Sequence, residues 1–165
     1  MTPIPKSQLY ILYNANKISD IWNSSQKLNL INHPKHGLIS PNAYRLIKKG
    51  KPCPYCGQKM VHGQDFYSTQ SKLEAIKQGY EYIDKKGHKI INQAGFRYFH
   101  PHYVTLDHKI NKARCPEKMF DYDNLEAICW KCNISKGDDN TYEIQHTFNY
   151  FEALTEEVLT RYKPL

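Results

Sequence analysis

Apolar residues recur at loosely helical intervals near both ends of the chain. In residues 1–32 this pattern predicts a partly helical region, although Asn and Ser interrupt it. Near the C-terminus, Phe151, Leu154, Val158 and Leu159 also follow helical spacing. We expect this last helix to pack back on the core of the domain.

Helix and turn signals divide the middle of the chain into short elements. Ser40 followed by Pro41 is a favourable helix start, and the helix over residues 43–49 would end at Gly50. Ser71 and Glu74 form a capping box ahead of a second short helix. The turn sequence Asp84-Lys-Lys-Gly87 lies between two apolar runs, which predicts a β-hairpin. The second helix and the hairpin would belong to an insertion at about residues 60–100.

The order of elements changes after residue 102. Residues 103–106 form a β-type run, residues 109–123 a polar loop, and residues 124–128 a second short strand. A helix is predicted to begin near Asn133, so the order is strand, loop, strand, helix. This mixture predicts an α+β fold. The expected regions are an N-terminal helical region (1–50), a core (51–140) and a C-terminal helix (141–165).

The charge of the chain is basic and uneven. Its 165 residues include 23 Lys and Arg against 16 Asp and Glu, a formal net charge of +7. Six acidic and two basic residues lie from Asp138 onward, so the preceding residues hold 21 basic and 10 acidic side chains, a net charge of +11. A basic body favours a polyanionic partner such as nucleic acid, although a solubilising surface with no partner explains the charge equally well.

Neither a targeting segment nor a membrane span is visible in the sequence. The first seven residues include two prolines and no apolar run of signal-peptide length. No stretch approaches the roughly 18 apolar residues that a membrane helix needs. We therefore expect a cytoplasmic protein that makes no membrane contact.

Four of the five cysteines form two CxxC pairs, Cys53 with Cys56 and Cys129 with Cys132. Each pair can place two sulfurs on one ion, and two pairs complete the closed tetrahedral set of a structural Zn²⁺ site. Two disulfides or four free thiols are the alternatives, but paired CxxC motifs in a reducing compartment favour zinc. Cys115 is left over, and we interpret it as an ordinary thiol in a loop.

Asp107 and His108 stand at the end of the first strand of the strand–loop–strand–helix unit, between the two cysteine pairs. Aspartate is a hard oxygen ligand suited to Mg²⁺, and imidazole is a suitable base near neutral pH. Adjacent strand residues point to opposite faces, so both would reach one phosphate only where the strand breaks. Alone, such a pair is more often a surface feature. Asn124 and Asn133 beside the cysteine pairs favour a functional site.

Together these motifs resemble the HNH endonucleases, also called ββα-metal or His-Me finger nucleases. The resemblance spans residues 103–138 and also includes the first cysteine pair, Cys53 and Cys56. The matching segments are Leu106-Asp-His108, Asn124-Leu-Glu-Ala-Ile-Cys129, Cys132-Asn133 and Lys136-Gly-Asp138.

The resemblance implies a role for each residue. His108 matches the general base, and Asn124 matches the asparagine that braces the loop through backbone hydrogen bonds. Asp107 and Asn133 match the ligands of the catalytic ion, Mg²⁺ or Mn²⁺. The implied fold is a small ββα-metal core stapled by the four-cysteine zinc site, with flanking helices and an inserted helix and hairpin.

The expected function is hydrolysis of phosphodiester bonds in DNA by a one-metal mechanism with a histidine base. Double-stranded DNA is the expected substrate, a homodimer would allow both strands to be cut, and the resemblance implies a restriction, defence or mobile-element setting. The alternatives are an RNase on the same scaffold and a non-catalytic zinc-ribbon module that binds nucleic acid. The zinc ribbon accounts for the cysteines and the charge, but it gives no reason for the spacing of Asp107, His108, Asn124 and Asn133.

Overall fold

The computed structural model describes residues 15–137 and 141–161 as helices joined to small antiparallel sheets, which confirms the α+β class. The helices are α1 Ala15–Ser24, α2 Pro41–Ile47, α3 Gln64–Tyr67, α4 Lys72–Lys77, α5 Trp130–Lys136 and α6 Thr141–Arg161. The strands are β1 Ile31–His33, β2 Gly37–Ile39, β3 Ser68–Thr69, β4 Tyr82–Ile83, β5 Lys89–Ile90, β6 Asn92–Ala94, β7 Arg97–Phe99, β8 Val104–His108 and β9 Leu125–Cys129. Two 3₁₀ turns cover Pro116–Lys118 and Tyr122–Asn124.

Side-chain caps begin the two short helices that the sequence predicts. The Ser40 hydroxyl accepts a hydrogen bond from the Ala43 amide at 3.1 Å at the start of α2. The Ser71 hydroxyl accepts one from the Glu74 amide at 3.2 Å at the start of α4. Both bonds satisfy amides that have no partner inside the helix, so both helix predictions are confirmed.

The strands outside the central unit are very short. The predicted hairpin forms from β4 and β5, with Ile83 opposite Lys89. The β1–β2 hairpin and the three-stranded sheet β3–β7–β6 were not predicted. Strands of two or three residues are too short to show an alternating pattern, so the sequence carries no clear signal for them.

The central unit is the antiparallel pair β8–β9 followed directly by α5. Its register runs from Val104 opposite Cys129 to His108 opposite Leu125. Val104 and Leu106 are buried on the same face of this pair and share one hydrophobic core with Trp22 of α1 and Tyr44 of α2. The two N-terminal helices therefore cover one face of the unit, and the end of β8 comes to lie beside α1.

The C-terminal helix forms as α6, in agreement with the apolar spacing. Its described side chains, Gln145 and residues 148–161, are exposed. Packing of this helix on the core and the division into three regions stay predictions, and the helical pattern in residues 1–14 lies outside the described residues. Among the described residues, no helix is long and apolar enough to cross a membrane.

Candidate active site and metal centre

The two CxxC pairs meet in one cluster formed by Cys53, Cys56, Cys129 and Cys132. All four Sγ atoms lie within 4.8 Å of one another. The Sγ atoms of Cys56 and Cys129 are 3.8 Å apart. Four sulfurs at about 2.3 Å from a zinc ion are separated by about 3.8 Å along each edge of the tetrahedron. The cysteine cluster is therefore positioned to hold a metal ion, and its donors and spacing fit Zn²⁺.

The backbone around the cysteine cluster is arranged to face the sulfurs. The Cys129 amide lies 3.4 Å from the Cys53 sulfur, and Gly57 turns the chain after the first pair with a φ of 72°. Burial raises the pKa of the Cys53 thiol, but the amides that face it outweigh burial and lower the pKa to about 7. Burial raises the pKa of Cys129. A bound cation would offset the cost of holding these thiolates together.

His102 stands beside the cysteine cluster, although the sequence offered no reason to assign it a role. Its Nδ1 lies 3.4 Å from the Cys129 sulfur. A side chain that hydrogen-bonds to a metal ligand helps to orient that ligand. His102 thus belongs to the surroundings of the cysteine cluster.

Asp107 and Asn133 lie on the face of β8 that α5 covers. Thr105 and Asp107 share this face because alternate residues of a strand point the same way. The Asn133 amide nitrogen donates to the Thr105 hydroxyl at 3.0 Å. The ammonium group of Lys136, one turn further along α5, forms an ion pair with the Asp107 carboxylate. Helix α5 therefore brings the amide of Asn133 and the carboxylate of Asp107 to one surface.

The ion pair between Lys136 and Asp107 is largely shielded from solvent. The side chains of Lys136 and Asp107 are 13% and 16% exposed. Burial lowers the pKa of Lys136, but the Asp107 carboxylate outweighs burial, so the pKa is raised and the ammonium stays charged. A divalent ion at Asp107 would therefore compete with the Lys136 ammonium.

The oxygen atoms at this surface fit a hard divalent ion. Asn133 uses its amide nitrogen for Thr105, and no protein donor reaches its side-chain oxygen within the described part of the chain. Carboxylate and amide oxygens are the ligands that Mg²⁺ and Mn²⁺ prefer. Asp107 and Asn133 can thus offer one oxygen each to such an ion.

Glu126 and Tyr55 join this surface to the first cysteine pair. Glu126 is the cross-strand partner of Asp107. Its carboxylate accepts a hydrogen bond from the Tyr55 hydroxyl at 3.1 Å. Because Tyr55 lies between Cys53 and Cys56, this bond connects the metal-binding turn to the strand pair that carries Asp107.

His108 lies on the other face of β8, against α1. Its Nε2 is 3.0 Å from the Met119 carbonyl oxygen. The ring packs edge-on to Trp22 with 4.6 Å between the ring centroids, and Trp22 in turn stacks on Phe120. Since a carbonyl only accepts, Nε2 carries the proton and Nδ1 keeps the lone pair.

The surroundings of His108 keep its ring neutral. Burial, followed by the positive charge of Lys112, lowers the pKa of His108 to about 4. A neutral imidazole with a free lone pair is the form that can take a proton from water.

The strand does not break between Asp107 and His108. The ladder continues through His108 opposite Leu125, and the Lys109 amide donates to the Asn124 carbonyl at 2.9 Å. The two side chains accordingly lie on opposite faces at the end of β8. Their joint approach to one phosphate stays a prediction.

Asn124 is buried and braces the loop that follows His108. Its side-chain oxygen accepts from the Ile110 amide at 2.8 Å. Its side-chain nitrogen donates to the carbonyls of Ile110 and Lys118, each at 3.1 Å. One amide therefore satisfies three backbone groups from both ends of the loop, and holds that loop near Met119 and His108.

Comparison with known protein families gives a match over part of the chain. The family model described as HNH endonuclease matches residues 95–139. Over this segment the chain is similar to the HNH endonucleases. The match contains β8, β9 and α5 together with Asp107, His108, Asn124 and Asn133. No curated protein and no solved structure matches the chain.

Residues outside the matched segment contact the segment that resembles the HNH endonucleases. Trp22 packs on His108, Tyr55 bonds to Glu126, and Cys53 and Cys56 complete the cysteine cluster. The CxxC spacing of the cysteines in the sequence predicted that they would form one metal-binding cluster. Trp22 and Tyr55 gave no such signal, because each looks like an ordinary apolar or packing residue until the chain folds.

The bracing of the HNH loop predicts a stability effect. Replacing Asn124 with alanine would leave the amide and the carbonyl of Ile110 without partners and remove one of the two donors to the Lys118 carbonyl, so the free energy of unfolding should fall by about 2–4 kcal/mol. Urea denaturation followed by tryptophan fluorescence measures this change. Asn29, which is exposed, provides the control, and Asn29→Ala should change stability by less than about 0.5 kcal/mol. Equal effects of the two substitutions would contradict the bracing role.

Proposed function

We propose that this protein is a metal-dependent endonuclease that hydrolyses phosphodiester bonds in DNA. The observation that carries the proposal is the end of β8, where a neutral His108 and the oxygen ligands Asp107 and Asn133 flank one strand within the HNH match. A phosphate that lies across this strand end would border both faces.

His108 is the general base in this proposal. Met119 and Trp22 hold the ring, and Nδ1 accepts the proton of the attacking water. Asp107 and Asn133 hold a single Mg²⁺ or Mn²⁺ ion. When bound, this ion supplies positive charge to the phosphate oxygens and the leaving oxygen. One metal is enough because the histidine provides the base.

The cysteine cluster has a structural role in the proposal. Four sulfurs fill the coordination sphere of Zn²⁺ and leave no open position for water. The ion would clamp the turn at Cys53–Cys56 to the end of β9 and the start of α5. Reduced cysteines suit a cytoplasmic location.

Double-stranded DNA is the proposed substrate because the chain carries a basic body and the HNH nucleases act on nucleic acid. One site cuts one strand, so cleavage of both strands by a single complex would use two copies of the chain. The family resemblance favours a restriction or defence setting.

A plasmid-nicking assay tests whether Asp107 is a ligand of the catalytic ion. With Mg²⁺ or Mn²⁺ the protein should convert supercoiled plasmid to the nicked form, and without added divalent ion it should not. Asp107→Ala should lower the rate at least about 100-fold, because the substitution removes a ligand of the catalytic ion. Its zinc content should match that of the unaltered protein, since Asp107 is not in the cysteine cluster.

Two comparisons sharpen this assay. Asp65→Ala removes an exposed carboxylate from α3 and should leave the rate unchanged. Structured RNA serves as a parallel substrate. Cleavage of RNA in place of DNA would support the RNase alternative, and binding without cleavage of either would support the zinc-ribbon alternative. Loss of zinc from Asp107→Ala would show that the two metal sites were assigned wrongly.

A further inference from the structure

A groove of about 550 Å³ separates the inserted hairpin β4–β5 from the outer side of α5. The hairpin contributes Tyr82, Ile83, Lys85 and Lys86, and the helix contributes Lys131 and Ile134. The two isoleucines leave a large part of their side chains exposed, 62% for Ile83 and 49% for Ile134. The groove therefore combines an apolar strip with three ammonium groups.

The hairpin tip is held in one conformation by its own turn. The Asp84 carboxylate accepts hydrogen bonds from the amides of Lys86 and His88 at 2.8 and 2.9 Å. Gly87 takes a φ of 81°, which side-chain-bearing residues rarely adopt. A fixed turn presents Lys85 and Lys86 at the groove without a further loss of backbone freedom on binding.

The charges of this groove are only partly compensated. Within the described residues, Lys89 pairs with Glu81 at 3.7 Å, whereas Lys85 and Lys86 form no ion pair. Lys131 lies over the Tyr82 ring, 5.6 Å from its centroid. Counting Asp84 as the one carboxylate, the groove keeps a net charge of +2 from Lys85, Lys86 and Lys131.

The groove and the candidate active site share helix α5. Asn133 and Lys136 face β8, whereas Lys131 and Ile134 face the hairpin. The two surfaces are thus opposite sides of a seven-residue helix. A duplex that crosses the end of β8 would reach the groove by passing around α5, which is about 10 Å across with its side chains.

We infer that this groove binds the phosphodiester backbone of the DNA substrate beside the cleaved bond. The inference rests on the proposed nuclease function. Lys85, Lys86 and Lys131 would contact phosphates, and Ile83 and Ile134 would lie against the deoxyribose rings. The hairpin would then extend the DNA-binding surface beyond the ββα unit itself.

The salt dependence of DNA binding tests this inference. The probe is a fluorescein-labelled DNA duplex of about 30 base pairs, titrated in fluorescence anisotropy between about 50 and 200 mM NaCl. The full chain carries His108→Ala to prevent cleavage. Adding Lys85→Ala and Lys86→Ala should weaken binding by about tenfold or more at the lowest salt concentration. The slope of log K against log salt should become shallower by about 0.9 for each phosphate that the variant no longer neutralises.

A charge-matched control separates the groove from general electrostatics. Lys72→Ala with Lys77→Ala removes the same charge from exposed positions on α4, outside the groove. This control should weaken binding far less. Equal effects of the two double variants would overturn the groove while leaving the nuclease proposal intact. Failure of the His108→Ala parent to bind DNA at all would instead overturn the nuclease proposal, and with it this inference. If Lys85→Ala with Lys86→Ala weakened binding to an RNA hairpin of equal charge but not to the DNA duplex, the groove would be assigned to RNA and the inference for DNA would be overturned.

Discussion

Replacing His108 with alanine is expected to slow DNA cleavage by about 100- to 10,000-fold, the usual contribution of a positioned general base. The ring is neutral, its Nε2 faces the Met119 carbonyl, and its remaining nitrogen keeps a lone pair for the water proton. Among the described residues at the end of β8, His108 is the side chain that offers a neutral base. The measurement is the single-turnover rate of plasmid nicking at saturating protein.

Folding and binding must be preserved for this result to report on chemistry. His108 also packs against Trp22, so alanine leaves a gap beside the core. His108→Asn fills part of that space, and it should also be inactive while it binds DNA as tightly as the unaltered protein. His36→Ala makes the same change at an exposed histidine outside the central unit and should retain full activity. Cleavage by His108→Asn within about tenfold of the normal rate would exclude His108 as the base.

Replacing Cys129 with serine is expected to remove the zinc and unfold much of the domain. Cys129 is fully buried, and it joins β9 to the sulfurs of the first cysteine pair. Binding of a structural zinc ion is coupled to folding with an apparent free energy of about 10–16 kcal/mol in zinc-finger peptides, comparable with the whole stability of a domain. The melting temperature should therefore fall by more than about 10 °C. Zinc content, measured by atomic emission, should fall from one ion per chain to nearly none.

The fifth cysteine provides the matched control for the zinc prediction. Cys115 lies outside the cysteine cluster, and its thiol donates to the Glu117 carboxylate at 3.0 Å. Cys115→Ser should keep both the zinc and the melting temperature. Retention of one zinc ion by Cys129→Ser, with normal stability, would contradict the structural site. Loss of zinc from Cys115→Ser would contradict the assignment of the ligands.

Helix caps and turn residues in the sequence correctly predicted the elements that they begin or close. Ser40 and Ser71 cap α2 and α4 as expected, and the turn at Asp84 closes the predicted hairpin. These signals act over three or four residues, so no distant contact is needed to interpret them. The strands β1, β2, β3, β6 and β7 lacked such a signal because two or three residues cannot establish a period.

The sequence indicated which residues belong to the candidate site more completely than how these residues are arranged in space. Cys53, Cys56, Cys129 and Cys132 meet as their spacing predicted, because a CxxC turn prepares two sulfurs for one ion. The hydrogen bonds of Asn124 to the loop also match the expectation from the family resemblance. The ladder continues through His108, so Asp107 and His108 lie on opposite faces, and their approach to one phosphate stays a prediction.

By itself the sequence determined the α+β class, the paired cysteines of the metal centre and the HNH motif, because these follow from residue types at short intervals. Only the tertiary structure decided that Lys136 would pair with Asp107, that Tyr55 would bond to Glu126 from 71 residues away, and that Trp22 would cover His108. These contacts join residues that are far apart in the sequence. They have no fixed sequence spacing, so no periodic pattern predicts them. The physical reason is that these neighbours are selected by the hydrophobic burial of α1 and α2 on the β8–β9 pair. Hydrophobic burial is non-directional, so the sequence of one element does not specify which distant side chains it will contact.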